Sequence, residues 1–232
     1  MASLTAVFFS SIGKKFINAV SGFFLVIFLC IHLLGNITLL TGNADAFNAY
    51  AHFLMGLGIL IYISEFGLVL FFALHIITAT SVWWDQQVAR PVAYKNSKSA
   101  GDTSKKTLSS STMIYTGAII LVFSILHLIT LKYGPGVAEG YTTDIDGVVM
   151  RDLYRLTVDV FAQPWYTASY VLAMILMGFH LRHGVWSMFQ SLGLNRPKFT
   201  SFMFKFAILV AFILAFGFIV IPVVLYLKGG AL

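Results

Sequence analysis

Four long apolar segments of this chain each carry one histidine near the middle: His32, His75, His127 and His180. An imidazole inside a bilayer is costly unless it has a partner, so intramembrane histidines usually belong to a functional site. The imidazole nitrogen is a common ligand of transition metals and also relays protons. Metal ligation and proton transfer are therefore the two kinds of chemistry to consider for this set.

Depth in the membrane sorts the four histidines into two pairs. With a rise of about 1.5 Å per residue, His32 lies roughly 6 Å and His127 about 7 Å beyond the midpoints of two outward-running segments. On the two inward-running segments, His75 lies roughly 6 Å and His180 about 4 Å past the midpoint. An outer and an inner pair on facing helices predict two haem irons, each held between two imidazoles. Zinc or copper fits less well, because those ions gather three or four ligands at one point.

Small or short residues flank the histidines at helical spacing. They would let a flat cofactor or a neighbouring helix approach closely: Gly22 and Gly35 near His32, Ser124 and Thr130 near His127, Thr78 and Ala79 near His75, and Gly184 and Ser187 near His180. The hydroxyls could also bond a ligand nitrogen or a haem propionate. A short internal repeat is present, because Gly22 stands ten residues before His32 and Gly117 ten residues before His127.

Membrane-spanning helices must carry these side chains. Of the 232 residues, 59% are hydrophobic and 10% are charged, whereas about 25% are charged in a soluble domain. A span needs roughly 20 apolar residues, and five segments qualify: about 16–40, 58–83, 112–131, 166–189 and 202–227. The sequence predicts an all-α membrane protein with one domain over residues 1–232, whose first four helices form a bundle around two stacked haems.

Charge predicts the orientation of the chain. Lysines and arginines are in excess before the first span, in the connection 90–111 and before the last span, whereas the connection 132–163 is acidic. The positive-inside rule places the N-terminus in the cytoplasm and the C-terminus outside. We therefore expect a multi-pass protein of a bacterial cytoplasmic (inner) membrane, with lipid but not nucleic acid as a partner. The first apolar run is too long for a cleaved signal peptide, and the stretch 4–12 is expected to lie along the interface.

The single cysteine, Cys30, limits the redox chemistry of the chain itself. One thiol excludes a disulfide framework and any cysteine-ligated zinc or iron–sulfur site within the chain. Its position within the first span predicts a small packing residue. The sequence also has no glycine pattern of a dinucleotide-binding strand and turn.

Several stretches together resemble one known family. They are Ser21-Gly22 with His32-Leu33-Leu34-Gly35-Asn36, then Phe47-Asn48-Ala49-Tyr50-Ala51, and Phe179-His180-Leu181-Arg182-His183-Gly184 with Gln190-Ser191-Leu192-Gly193. With them the chain resembles the cytochrome b membrane-anchor subunit of succinate dehydrogenase and fumarate reductase, in its single-chain, five-helix, di-haem form. The resemblance spans nearly the whole chain and is weakest between the third and fourth spans.

The resemblance implies a complete electron path. It makes His32 and His127 the ligands of a distal haem b, and His75 and His180 those of a proximal haem b. A flavoprotein subunit and an iron–sulfur subunit would dock on the cytoplasmic face, and a membrane quinone, first of all menaquinone, would be the second substrate. The chain would then be one subunit of a succinate:quinone oxidoreductase, of the respiratory chain and tricarboxylic acid cycle. It would have no dicarboxylate site of its own, and the complex could form a higher oligomer.

Four further polar residues are candidates for secondary roles. Glu65 lies inside the second span and could carry protons for quinone chemistry, or form a structural bond to a neighbouring helix. His183, three residues after His180, could bind a propionate or quinone, and Arg182 could neutralise propionates or reach the interface. His52 is expected at the outer surface. Some family members have a glutamate two residues before the fourth-span ligand, but Gly178 stands there in this chain, so that proton path is not expected.

Two other functions compete with this interpretation. A cytochrome b of another quinone-linked dehydrogenase, such as a hydrogenase or formate dehydrogenase, would share the haems and differ in its partner. A proton-coupled transporter would instead use the histidines and Glu65 as relays. Reduced-minus-oxidised visible spectra separate the two cytochromes from the transporter.

Overall fold

The computed structural model describes residue 8 and residues 10–89, 108–194 and 196–229. The helices in these ranges are α1 Ser11–Ile37, α2 Ala44–Gly56, α3 Ile59–Val88, α4 Leu108–Ser111, α5 Met113–His127, α6 Leu153–Phe161, α7 Pro164–Ser191 and α8 Pro197–Gly229. A π-helical turn, Leu128–Lys132, continues α5, and 3₁₀ turns cover Thr38–Thr41 and Val137–Glu139. Most of the predicted basic loop 90–111 and of the predicted interfacial stretch 4–12 lies outside the described residues.

Among the described residues, four helical stretches are long and apolar enough to cross a membrane: Ser11–Thr41, Ile59–Val88, Met113–Lys132 and Lys198–Gly229. The helix α7 meets the same criterion only together with α6, from which it is bent by 94°. The described part of the chain is therefore mainly helical, with four candidate membrane spans, or five if the bent pair counts as one, which is compatible with a multi-pass membrane protein. Each of the five predicted segments coincides with one of α1, α3, α5, α7 and α8.

The core of the bundle lies between α1, α7 and α8. Its buried members include Leu33, Met177 and Leu214. A Cβ on Gly217 of α8 would lie 2.7 Å from a methyl carbon of Leu33, and one on Gly178 of α7 would lie 3.0 Å from the Cβ of Ala215. Because the helices approach so closely at these glycines, α8 is part of the core, and the predicted four-helix bundle is extended by a fifth helix.

A β-hairpin follows α5, so the prediction of an all-α chain is wrong for this segment. Strand β1, Thr142–Ile145, pairs antiparallel with β2, Val148–Arg151. The two turn residues, Asp146 and Gly147, both have positive φ, 55° and 80°, as a two-residue hairpin of type I′ requires. The amide of Gly147 donates to Oδ1 of Asp144 over 2.8 Å, which closes the turn.

The two ends of the bundle differ. The hairpin, α2 and α6 pack together at one end, which we call the hairpin end. Arg151 joins that end to α5, because its guanidinium donates to the backbone carbonyls of Leu131, Lys132, Gly134 and Pro135 over 2.9–3.1 Å. At the opposite end Lys14 donates to Asp85 over 2.7 Å. This end also carries Lys15, Arg196 and Lys198, and we call it the basic end.

Candidate site of paired histidines

The four histidines form two ring pairs within the bundle. The ring centroids of His32 and His127 are 5.8 Å apart, and those of His75 and His180 are 6.3 Å apart. The first pair joins α1 to α5 nearer the hairpin end, and the second joins α3 to α7 nearer the basic end. All four rings are half-buried. These are the partners expected from depth, while the role of the rings as haem ligands stays a prediction.

At the inner pair, an oxygen atom of a neighbouring helix lies within hydrogen-bond distance of Nδ1 of each ring. Nδ1 of His75 lies 3.4 Å from the carbonyl oxygen of Asn18, which can only accept, so Nδ1 is the donor. Nδ1 of His180 lies 3.2 Å from Oγ1 of Thr116. This hydroxyl also lies 3.1 Å from the backbone carbonyls of Thr112 and Met113, and when its proton points to either of them, its oxygen accepts from Nδ1 of His180. Each ring then keeps the lone pair of Nε2 for a metal.

The outer pair is held by a chain of hydroxyls on one side and an amide on the other. Nδ1 of His127 lies 3.1 Å from the hydroxyl of Tyr170, which in turn lies 3.3 Å from that of Tyr166. On α1 the side-chain nitrogen of Asn36 lies 3.4 and 3.5 Å from the two ring nitrogens of His32 and donates to the carbonyl of His32 over 2.8 Å. No acceptor of this kind fixes the tautomer of His32 among the described residues.

Two glycines leave room for the inner pair. A Cβ on Gly22 of α1 would lie 3.3 Å from Cε1 of His75, and one on Gly117 of α5 would lie 3.4 Å from Cε1 of His180. The expectation that Gly22 flanks His32 is therefore wrong, because Gly22 lies at the depth of the inner pair and contacts His75. The repeat of ten residues now has a physical meaning, since α1 and α5 each carry a glycine at the inner pair and a histidine at the outer pair.

Four of the other flanking residues contact a tyrosine, a neighbouring asparagine or the backbone of their own helix. Gly35 faces Tyr50 instead of the pair containing His32, because a Cβ there would lie 2.8 Å from the tyrosine oxygen. The hydroxyls of Ser124 and Thr130 donate to backbone carbonyls four residues earlier on their own helix. Thr78 also donates to its own helix, at the carbonyl of Leu74, and lies 3.3 Å from Oδ1 of Asn18.

Aromatic rings enclose the outer pair. The ring of Phe28 stacks on His32 at 5.2 Å, and Phe218 of α8 approaches the same imidazole at 5.8 Å. Phe123 stacks on His127 at 5.9 Å. The outer imidazoles therefore lie in an apolar environment, where water competes little for their nitrogens.

The geometry suits an iron held from both sides. Because a metal–imidazole bond is about 2.0–2.1 Å long, two rings on opposite sides of one ion have centroids roughly 6 Å apart. Aromatic ring pairs without a metal also have centroids about 4.5–7 Å apart. The hydrogen bonds at Nδ1 are therefore stronger evidence for a metal site than the centroid distance. A neutral imidazole with Nδ1 hydrogen-bonded and Nε2 free is the ligand that haem iron takes. No group of three or more His, Cys, Asp or Glu side chains that could hold a metal occurs in the described part of the chain.

The secondary candidates have partners or positions of their own. Glu65 forms an ion pair with Lys132 at the end of the π-helical turn, which corresponds to the structural bond considered for it. Arg182 donates to the hydroxyl of Ser109 over 3.1 Å and lies over the ring of Phe204 at 5.9 Å. His183 is half-buried on α7, and it is the ring of His180 that faces α3. His52 is exposed on α2, as expected.

The sequence did not single out the partners of the ring nitrogens, Asn18, Thr116 and Tyr170. Each lies on a different helix from the histidine it contacts, and helical spacing along one segment cannot reveal such a neighbour. Thr116 carried one usable signal, since it precedes Gly117 in the repeat. Comparisons of the chain with protein-family models, with curated proteins and with solved structures found no match.

Proposed function

We propose that this chain is the di-haem cytochrome b anchor of a succinate dehydrogenase or fumarate reductase. The observation that carries the proposal is the presence of two imidazole pairs at two levels of one bundle. Where Nδ1 of an imidazole is hydrogen-bonded to a neighbouring oxygen, its Nε2 is left for axial ligation to iron. The motif resemblance supports the choice of this complex over a hydrogenase or formate dehydrogenase.

Each level of the bundle has a distinct task in this proposal. Haem b bound at each pair supplies one-electron redox chemistry. His75 and His180 hold the proximal group near the basic end, and His32 and His127 hold the distal group near the hairpin end. The ten residues between the two levels on α1 and α5 correspond to about 15 Å along a helix. The helices keep water away from both groups and fix the orientation of the imidazoles.

The two ends of the bundle then face different partners. The iron–sulfur and flavoprotein subunits would dock at the basic end, on the cytoplasmic side of a bacterial inner membrane. A membrane quinone, with menaquinone as the first expectation, would exchange electrons with the haem chain. The dicarboxylate chemistry would belong to the flavoprotein subunit, as the resemblance implies.

A haem count with histidine variants tests the proposal. The purified chain should contain two haems b per polypeptide by the pyridine haemochrome assay. His32→Ala and His127→Ala should each remove the same centre from the reduced-minus-oxidised spectrum, while His75→Ala and His180→Ala remove the other. His52→Ala is the matched control and should leave both centres, because this side chain is exposed on α2.

Three results would contradict the proposal. A purified parent chain with no haem band would exclude a cytochrome and favour the proton-coupled transporter. If His32→Ala and His127→Ala erased different centres, the pairing of α1 with α5 as ligand helices would be wrong. Two haems without co-purifying succinate dehydrogenase subunits would favour the cytochrome b of a different dehydrogenase.

A further inference from the structure

We infer that Tyr170 and Thr116 are positioning residues that tune the two haem centres separately, each through Nδ1 of one axial histidine. This inference rests on the proposed function, because it assumes that Nε2 of these histidines binds iron. The remaining contacts of the four imidazoles are weaker or come from the backbone. Tyr170 and Thr116 are the described side-chain hydroxyls within hydrogen-bond distance of a ring nitrogen.

Tyr170 acts on the outer pair from α7. Its hydroxyl lies 3.1 Å from Nδ1 of His127, and its ring packs against Phe123 and Phe161 with centroids 4.8 Å away in both cases. The tyrosine is buried, so the packed ring fixes the position of the oxygen. If Nε2 of His127 binds iron, Nδ1 must carry the proton and donate to Tyr170, which then donates to Tyr166.

Thr116 acts on the inner pair from α5. Its hydroxyl accepts from Nδ1 of His180 over 3.2 Å and is itself buried. The two hydroxyls therefore act across the bundle in opposite directions, since α7 supports the histidine of α5 and α5 supports the histidine of α7. In each case the acceptor lies on a helix that belongs to the other ring pair.

A hydrogen bond donated from Nδ1 makes the imidazole a stronger electron donor to the metal. A stronger donor favours the oxidised iron and so lowers the midpoint potential. Removing the acceptor oxygen while keeping the side-chain shape should therefore raise the potential of one centre and leave the other unchanged. A purely structural role would not predict which of the two centres responds.

Redox titration of the purified haem-loaded chain, followed by visible spectra, tests this inference. Tyr170→Phe keeps the packed ring and should raise the midpoint potential of the centre that His127→Ala removes. Thr116→Val keeps the shape and should raise the potential of the centre that His180→Ala removes. Each variant serves as the control for the other. Ser124→Ala, which loses only a bond within α5, should shift neither centre.

The possible failures are distinguishable. A parent chain without haem contradicts the proposed function itself, whereas two haems with unshifted potentials in both variants contradict only this inference. Potentials that shift in the same centre for both variants would also overturn it. If Tyr170→Phe loses the outer haem, Tyr166→Phe provides the test instead. That variant removes only the hydrogen bond between the hydroxyls of Tyr166 and Tyr170, so we expect a smaller rise in the midpoint potential of the outer centre. An unshifted potential would overturn the role of Tyr170.

Discussion

Asn48 is a polar residue that is almost fully buried, with 1% of its surface exposed. Its amide nitrogen donates to Oδ1 of Asp152 over 2.8 Å, and its carbonyl oxygen accepts from the backbone amide of Tyr154 over 2.9 Å. Both bonds join α2 to the start of α6, which continues into α7. Since a buried amide needs partners for both ends, the asparagine fixes how the hairpin end is assembled.

We expect Asn48→Asp to destabilise the protein by about 1–3 kcal/mol, the cost of a lost buried hydrogen bond. The retained oxygen would still accept from the backbone amide of Tyr154, but the new oxygen, in place of the amide nitrogen, would face the carboxylate of Asp152 with no proton to donate. Thermal unfolding in detergent should show a lower midpoint than for the parent chain. Asn43→Asp is the matched control, because Asn43 caps α2 by accepting from the amide of Ala46, and aspartate caps equally well. Equal midpoints for the two variants would contradict the role of Asn48.

At the level of elements, the close packing of α8 against α1 and α7 depends on glycine. A methyl group on Gly217 would lie 2.7, 2.9 and 3.3 Å from three side-chain carbons of Leu33. Leu33 is buried in the core, with 6% of its surface exposed, and has little room to move. Leu33 also follows His32 directly in the sequence, so a displaced Leu33 would shift the imidazole of His32 in the outer ring pair.

Gly217→Ala should therefore destabilise the bundle by about 1–3 kcal/mol, the usual cost of overpacking a core. We also expect the outer haem band to broaden or weaken, while the inner band stays. The control is Gly67→Ala on α3, where an added Cβ would meet no atom within 4 Å. That change should stabilise the helix by roughly 0.5–1 kcal/mol, because alanine restricts the unfolded chain. Unfolding midpoints and visible spectra of both variants measure these effects, and a neutral Gly217→Ala would contradict the packing.

The long helices could be predicted from the sequence because hydropathy depends on composition over a whole segment. The ring partners could be predicted too, since rise per residue fixes the depth of a histidine. Neighbours on other helices could not be predicted from positions along one segment. Gly22, expected near His32 of its own helix, faces His75 of α3. The hairpin was missed although Asp146-Gly147, between two short runs rich in β-branched residues, is a strong hairpin signal. A long, acidic connection such as 132–163 is also typical of a loop without regular structure, which is why the hairpin is not evident from composition alone.

For the whole molecule, the ends of the bundle differ in charge. The described part of the basic end carries five lysines and arginines (Lys14, Lys15, Arg196, Lys198 and Lys205) and one acid, Asp85. At the hairpin end acids prevail, with Asp45, Glu139, Asp144, Asp146, Asp152 and Asp159. From the positive-inside rule we expect the two ends to lie on opposite sides of the membrane. That arrangement requires α7 to cross, since α7 lies between the hairpin and the start of α8.

Cysteine labelling tests this arrangement and decides between four and five spans. In a Cys30→Ala background, Val149→Cys places a thiol on the exposed part of β2, and Lys198→Cys places one at the exposed start of α8. With five spans, a membrane-impermeant maleimide should label Val149→Cys in intact cells and Lys198→Cys only in inverted vesicles. If α7 does not cross, both thiols lie on one side and react in the same preparation. That result would place the hairpin and the start of α8 together, and the two histidine levels could no longer connect opposite faces of the membrane.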